Sequence, residues 1–147
     1  YVHTRRKDYH TFNGDGIDID RCRYVTISNC RIDTSDDCIT LRASQAHKLA
    51  NSQDCEWVTV TNCNLTSYAC GIRIAWVNDG VIRNCTFSNI VITDSNLGIS
   101  IMLPKCRDRE KMPDQGREAT LIENLSFNKH PHTFPSSVSR DSRSLSS

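Results

Sequence analysis

The chain has 147 residues, and 18 Lys and Arg stand against 17 Asp and Glu, so the formal net charge is +1. This balance gives no global attraction to nucleic acid or to an anionic membrane surface. No apolar run is long enough to span a bilayer. We therefore expect neither a nucleic acid partner nor a membrane partner, and no obligate protein partner is evident.

Two short sequence modules alternate along the chain. The first has the form apolar-x-Asn-Cys/Leu-x-apolar and covers residues 27–32, 60–65, 82–87 and 122–127. The second has the form Ile-x-Ile or Ile-x-Leu and covers residues 17–19, 39–41, 72–74 and 99–101. Ile, Val and Thr are frequent in both modules, and Asn, Asp, Ser and Gly lie between them. This is typical of short strands separated by turns.

The alternation of the two modules predicts an all-β fold, a right-handed parallel β-helix of about four coils. Stacked coils would bury the alternating apolar residues in one continuous core. A leucine-rich repeat is the alternative fold, but its helical half has no counterpart in this sequence. The Asn of the first module recurs in every copy, which predicts an internal hydrogen-bonded ladder at a turn. Its members would be Asn29, Asn62, Asn84 and Asn124.

Five of the eight cysteines recur with the repeat. Cys22, Cys30 and Cys38 are eight residues apart, and Cys55 and Cys63 have the same spacing. Cysteines in repeat register occupy equivalent places on successive coils, where a free thiol packs as a small apolar group. We expect stacked core thiols, with one or two disulfide bridges as the alternative. A zinc site is disfavoured because the sequence contains no Cys-x-x-Cys pair.

Residues 1–127 are predicted to form one partial β-helix domain, and residues 128–147 an irregular or disordered tail. Two inserts, at 43–54 and 103–119, interrupt the repeat. The first residues enter the repeat without the polar cap that solenoids usually carry, so we expect the chain to be a fragment. No signal peptide is visible in it.

Three aspartates lie just before repeat isoleucines. Asp15 is two residues before Ile17, and Asp37 is two residues before Ile39, so we expect them to stack about 5 Å apart, the parallel strand spacing. Asp36 is expected to point the opposite way by strand alternation. Carboxylates this close cannot all ionise easily, so at least one pKa should be raised. A carboxyl of raised pKa can protonate a glycosidic oxygen, while its ionised neighbours activate a water.

The pairing of Asn13-Gly-Asp-Gly with Asp36-Asp-Cys-Ile one coil later resembles glycoside hydrolase family 28, the polygalacturonases and rhamnogalacturonases. The resemblance implies an extracellular or periplasmic enzyme that cleaves a pectic or related plant polysaccharide. It implies inversion of configuration without a metal or cofactor. It also implies Asp36 as the general acid, and Asp15 with Asp37 as the pair that activates water.

Two further motifs of that family are replaced. The family histidine corresponds to Cys70, and the family Arg-Ile-Lys motif corresponds to Ser100-Ile-Met102. Because polygalacturonases use the basic pair to hold the substrate carboxylate, its loss weakens the case for galacturonate. Arg73 is a candidate substitute, since it shares the outward strand column with Asp18. The candidate substrate-binding residues are Arg73, Asn13, Asp18 and Trp76, of which Trp76 could stack on a sugar ring.

Two other functions fit the same residues. A non-catalytic β-helix that binds carbohydrate would account for the two lost motifs, although all three aspartates are retained. A calcium-dependent polysaccharide lyase would use the carboxylates as cation ligands and Arg73 as the base. Replacement of Asp36 would abolish turnover in a hydrolase but leave sugar binding nearly intact in a non-catalytic protein. An unsaturated product would identify a lyase.

Overall fold

The computed structural model describes residues 1–4, 13–44, 54–76, 79–103 and 120–128. Almost all of the predicted tail and most of the two inserts lie outside these ranges, so the domain boundary stays a prediction. Within the described ranges, no helix capable of crossing a membrane is found. The strands are β1 (Val2–His3), β2 (Ile17–Asp20), β3 (Arg23–Ser28), β4 (Arg31–Thr34), β5 (Ile39–Arg42), β6 (Cys55–Ser67), β7 (Cys70–Ile74), β8 (Val81–Thr93), β9 (Leu97–Ile101) and β10 (Leu121–Asn128).

The strands form two parallel sheets. The larger sheet runs in the order β1-β4-β6-β8-β10, with β3 also paired to β6, and the smaller sheet runs in the order β2-β5-β7-β9. The chain returns to each sheet coil after coil, and every pair of strands is parallel. This confirms the parallel β-helix and excludes the leucine-rich repeat. The four strands of the smaller sheet agree with the four predicted coils.

The smaller sheet follows the second sequence module. Ile17 pairs with Ile39, Ile39 with Ile72, and Ile72 with Ile99. Ile39 and Ile72 are fully buried, whereas Ile99, in the last described strand of this sheet, is 47% exposed. Coil stacking therefore builds the core, because each inward side chain is covered by its equivalents in the adjacent coils.

The larger sheet departs from the predicted register in one place. Ile27 pairs with Val60 as expected, but the partner of Val60 in β8 is Phe87. The residue expected there, Ile82, pairs with Cys55 instead. The third copy of the first module, which begins at Ile82, is therefore shifted by five residues along β6. It pairs with Cys55 instead of Val60. Similar motifs occupy two different places on the coil, and the motif alone does not distinguish them.

The prediction of one internal ladder is wrong, because this displacement divides the asparagines into two columns. Asn62 donates a hydrogen bond to Asn29 Oδ1 (3.3 Å), and Asn89 donates to Asn62 Oδ1 (2.6 Å). Asn124 donates to Asn84 Oδ1 (3.1 Å) in a separate column. Both ladders lie at the surface of the solenoid rather than in its interior.

The ladder asparagines mark corners at which the long strands bend. Asn29, Asn62 and Asn89 have φ angles of 56°, 53° and 50°. This left-handed region is unfavourable for most residues with a Cβ, and Asn is among those that adopt it most readily. Asn is therefore favoured at the corner for its backbone, and its amide then bonds to the equivalent amide in the next coil.

Five of the seven described cysteines confirm the predicted core thiols. Cys38, Cys55, Cys63, Cys70 and Cys85 are buried, and all seven described cysteines are free. The prediction is wrong for Cys22, which is exposed, and only partly right for Cys30. Cys22 directly precedes β3, which pairs only with β6 among the described strands, so no further coil covers that side.

Replacing Asn62 with Ala would remove both of its ladder bonds and place a less suitable residue at φ 53°. We expect N62A to lower the free energy of unfolding by about 1–2 kcal/mol. N62G keeps the left-handed backbone and loses only the ladder, so we expect a smaller loss. Urea denaturation of both variants measures the difference. Equal losses would contradict the role given to the backbone conformation.

Candidate active site

A cleft of about 290 Å³ lies over the outward face of the smaller sheet. Strands β2, β5 and β7 and the residues beside them form its lining. All seven candidate site residues meet there, namely Asp15, Asp36, Asp37, Asn13, Asp18, Arg73 and Trp76. Thr40 and Arg42 complete the lining. The outward column Asp18, Thr40 and Arg73 follows the predicted register of the sheet.

Glycine lets the loop before β2 lie directly on the loop before β5. The backbone N–H of Gly16 donates to the carbonyl oxygen of Asp37 (2.9 Å). A Cβ at Gly16 would stand 2.4 Å from the carbonyl oxygen of Cys38, which is too close for any other residue without a shift of the backbone. This close approach brings Asp15, the neighbour of Gly16, against the aspartate pair.

Asp15, Asp36 and Asp37 each place a carboxylate oxygen within 4.8 Å of the other two. The expectation that Asp36 points away from Asp37 is wrong. Residues 35–38 form a bend before β5 rather than a strand, so alternation does not apply to them. Backbone N–H groups hold two of the carboxylates: that of Asp37 donates to Asp15 Oδ1 (3.1 Å), and that of Asn13 donates to Asp36 Oδ2 (2.9 Å).

The pKa of Asp15 in this cluster is raised to about 6. Withdrawal of the carboxyl from water is the largest cause, and repulsion from Asp18 and Asp36 adds to it. The hydrogen bond from the Asp37 N–H lowers this pKa but does not offset the rise. The predicted rise of at least one pKa is confirmed. It falls on Asp15, whereas the resemblance names Asp36 as the acid.

Asp37 is enclosed and bound on both oxygens. It is 5% exposed. Arg73 donates from Nε to Oδ2 and from Nη2 to Oδ1 (3.2 Å), and the Cys70 N–H also donates to Oδ1 (3.0 Å). The hydrogen bonds to Asp37 raise the pKa of Arg73. The guanidinium is therefore committed to Asp37 and is not a free cation within the cleft.

The replaced family positions lie behind this ion pair. The side chain of Cys70 is buried, and burial raises the pKa of its thiol. Ser100 lowers the pKa of that thiol and so opposes the effect of burial, and Met102 Sδ accepts a hydrogen bond from Arg73 Nη1 (3.0 Å). None of these three side chains supplies the positive charge that the family motifs carry.

Sequence reasoning missed Arg42 and Asp79. Arg42 donates from Nε to Asp79 Oδ2 (2.7 Å) and from Nη2 to Oδ1 (2.9 Å). Asp79 is fully buried and also accepts the Trp76 N–H (2.9 Å). Strand alternation could have placed Arg42 on the outward face, because it lies two residues after Thr40. No sequence signal links Arg42 to a partner 37 residues away.

Trp76 lies beside both arginines of the cleft. The guanidinium carbon of Arg73 is 4.9 Å from the ring centroid, and that of Arg42 is 5.9 Å from it. These cation–π contacts hold the indole ring. The hydrogen bond from the Trp76 N–H to Asp79 holds the backbone of the same residue. The residue is 44% exposed, so part of its ring surface is available to a sugar.

Replacing Asp15 with Asn would remove a carboxyl whose ionisation opposes folding. Its pKa rises from 3.8 to about 6, so the stability due to its proton is complete below pH 3.8 and lost as the pH rises through 6. We expect D15N to match the wild type at pH 4 and to be about 1 kcal/mol more stable at pH 7, after allowance for solvent screening of a half-buried group. Urea denaturation at both pH values measures this. A pH-independent difference would contradict the raised pKa.

Comparison with known families matches residues 1–55 to the model of glycosyl hydrolases family 28, 55 of the 147 residues. No curated protein and no solved structure matches the chain. The matched segment contains Asp15, Asp36 and Asp37, whereas Arg73 and Trp76 follow it. Over this segment the chain is similar to glycosyl hydrolases family 28.

Proposed function

We propose that the protein hydrolyses O-glycosidic bonds of a pectic or related plant polysaccharide through Asp15, Asp36 and Asp37, by a metal-independent inverting reaction. The observation that carries this proposal is the convergence of three carboxylates within 4.8 Å in a cleft, all of them from the segment that matches the family. A carboxyl of raised pKa, here Asp15, beside other carboxyl groups in one cleft is typical of sites for glycoside hydrolysis. The match of residues 1–55 to the family also supports an extracellular or periplasmic location.

Asp36 is the general acid in this proposal. Within the described residues its side chain accepts one hydrogen bond, from the Asn13 N–H, so an oxygen stays available to carry a proton. Asp36 gives that proton to the glycosidic oxygen as the bond to the anomeric carbon breaks. A water attacks that carbon from the opposite face and passes its proton to Asp15. Asp37, held by Arg73, orients the water.

The separation of the carboxyl groups bears on the stereochemistry. Inverting glycosidases usually hold their two carboxyl groups about 6.5–9.5 Å apart, and retaining ones about 5–5.5 Å apart. One oxygen of each carboxylate lies within 4.8 Å of the others, which is closer to the retaining arrangement, whereas the resemblance to the family implies inversion. The anomeric configuration of the first-formed product, followed by NMR, decides between the two.

Charge in the cleft favours a neutral sugar at the cleaved bond over galacturonate. Arg73 and Arg42 are the cations of the lining, and each is bound to an aspartate. The remaining aspartates of the lining would repel a substrate carboxylate.

A calcium-dependent lyase is less well supported. Its base must give up a proton before the reaction, and Asp37 raises the pKa of Arg73, the candidate base. A guanidinium in a bidentate ion pair is a poorer base than a free one. The three carboxylates are close enough to hold a cation, but the same cluster serves hydrolysis.

Replacing Asp36 with Asn would remove the proposed acid and keep the shape of the side chain. We expect turnover of pectic oligosaccharides to fall by about 10²–10⁴-fold, and the wild-type products to have saturated ends in the presence of a chelator. Asp94→Asn, a substitution of an exposed corner residue outside the cleft, is the control and should leave turnover unchanged.

Unsaturated ends and loss of cleavage with a chelator would identify a lyase. Binding without cleavage by the wild type would identify a non-catalytic protein.

Replacing Arg73 with Gln would leave Asp37 enclosed without its counter-charge. We expect a loss of about 3 kcal/mol in the free energy of unfolding, together with loss of turnover. Lys at this position keeps the charge but not the two-pronged contact, so R73K should lie between the wild type and R73Q. Arg21→Gln is the control, because Arg21 Nε is 3.8 Å from Asp20 Oδ1 in a pair that is more open to solvent than Arg73 and Asp37. Equal stability of R73Q and R21Q would contradict the importance of the pair.

A further inference from the structure

A second surface of interest lies on the larger sheet, and none of its residues lines the cleft. Four residues with φ between 50° and 59° occupy equivalent corners on β3, β6, β8 and β10. We call this line the corner track. Its members, in order along the stack, are Tyr24, Trp57, Asn84 and Asn124.

The aromatic half of the corner track is open to solvent. Tyr24 is 80% exposed and Trp57 is 50% exposed. Their rings are nearly parallel, with an interplanar angle of 8° and centroids 6.4 Å apart. They therefore present two aligned aromatic rings on adjacent coils, and much of the surface of both side chains is exposed to solvent.

The backbone makes these two aromatic residues unusual. A left-handed corner suits Asn, which occupies it in the next two coils, whereas a bulky side chain at positive φ is a genuine outlier. Such conformations cost energy and are commonly retained at binding sites. Packing does not explain Tyr24 and Trp57, because both remain exposed, so a role in binding is indicated.

In the column of residues beside the corner track, positive and negative side chains alternate. Arg23, Glu56, Arg83 and Glu123 are paired across the same four strands. Glu56 lies 2.9 Å from Arg23 Nε and 2.8 Å from Arg83 Nε, and Arg83 Nη1 lies 3.7 Å from Glu123. The alternating signs leave no excess charge along this column, which gives no electrostatic preference for an anionic polymer.

We propose that the corner track binds an extended, neutral polysaccharide chain. The apolar faces of sugar rings stack on Tyr24 and Trp57, and sugar hydroxyls bond the amides of Asn84 and Asn124, which are themselves linked at 3.1 Å. Four equivalent positions at the coil spacing, about 4.8 Å, match a linear polymer better than a small molecule. That this polymer is the one cleaved in the cleft rests on the proposed function.

Trp57→Asn and Tyr24→Asn test this proposal, because Asn suits the corner conformation and removes only the ring. Affinity electrophoresis in gels containing galactan, arabinan or polygalacturonate would be run in an Asp36→Asn background, which prevents cleavage. We expect at least one neutral polymer to retain the protein, and each ring removal to weaken retention about fivefold with little change in Tm. Tyr1→Asn is the control, since Tyr1 is 76% exposed but lies outside the corner track.

Retention that is unchanged in both variants, or retention on polygalacturonate alone, would overturn the proposal. The same substitutions in an otherwise wild-type chain should leave hydrolysis of short oligosaccharides unchanged. If the wild type cleaves them and Trp57→Asn does not weaken retention, the corner track fails and the proposed function stands. If the wild type cleaves nothing while retention depends on Trp57, the corner track stands and the proposed function fails.

Discussion

The stacking of equivalent residues on successive coils is the constraint on which the rest of this structure depends. Neighbouring parallel strands lie about 4.8 Å apart, so a residue type that recurs in register forms a column. For Ile17, Ile39 and Ile72 the column becomes the core of the solenoid. The same constraint brings Asp15 beside Asp37, because both precede the strands of the smaller sheet. Stacking stabilises apolar columns and places like charges in close proximity.

The protein accommodates stacked charges in two ways. On the larger sheet the sign alternates, and Glu56 lies between Arg23 and Arg83 with a charge-assisted hydrogen bond to each. In the cleft the aspartates do not alternate with cations. One of them is bound by Arg73, and another has its pKa raised to about 6. The unfavourable arrangement thus leaves a carboxyl of raised pKa, Asp15, beside two further carboxyl groups.

The departures from the pattern of family 28 that the chain resembles can be explained in the same physical terms. Where the resemblance implies a histidine and an Arg-Ile-Lys motif, this chain has Cys70 and Ser100-Ile-Met102. Arg73 lies on the same strand as Cys70 and pairs with Ser100. Arg73 contacts Asp37 and Met102 rather than open solvent. A positive charge is therefore still present near the aspartates, but it is used inside the protein. This is the physical basis for favouring a neutral sugar in the cleft.

The sequence by itself determined the architecture and the chemical centre. Parallel coils repeat local patterns, so the isoleucine modules predicted the smaller sheet and its register, and two aspartates at the same distance from those isoleucines had to lie together. The outward column with Arg73 followed from alternation alone. These features depend only on periodicity within a few residues, which a sequence shows directly.

Only the tertiary structure decided where the chain bends and which distant groups meet. The displaced register of β8, the split of the asparagine ladder and the direction of Asp36 all depend on corners, and similar motifs occupy different corners. The bonds from Arg42 to Asp79 and from Arg73 to Asp37 join residues 37 and 36 positions apart. Periodicity carries no information on such contacts, because a side chain selects its partner from whatever the stacked coils bring within hydrogen-bond distance.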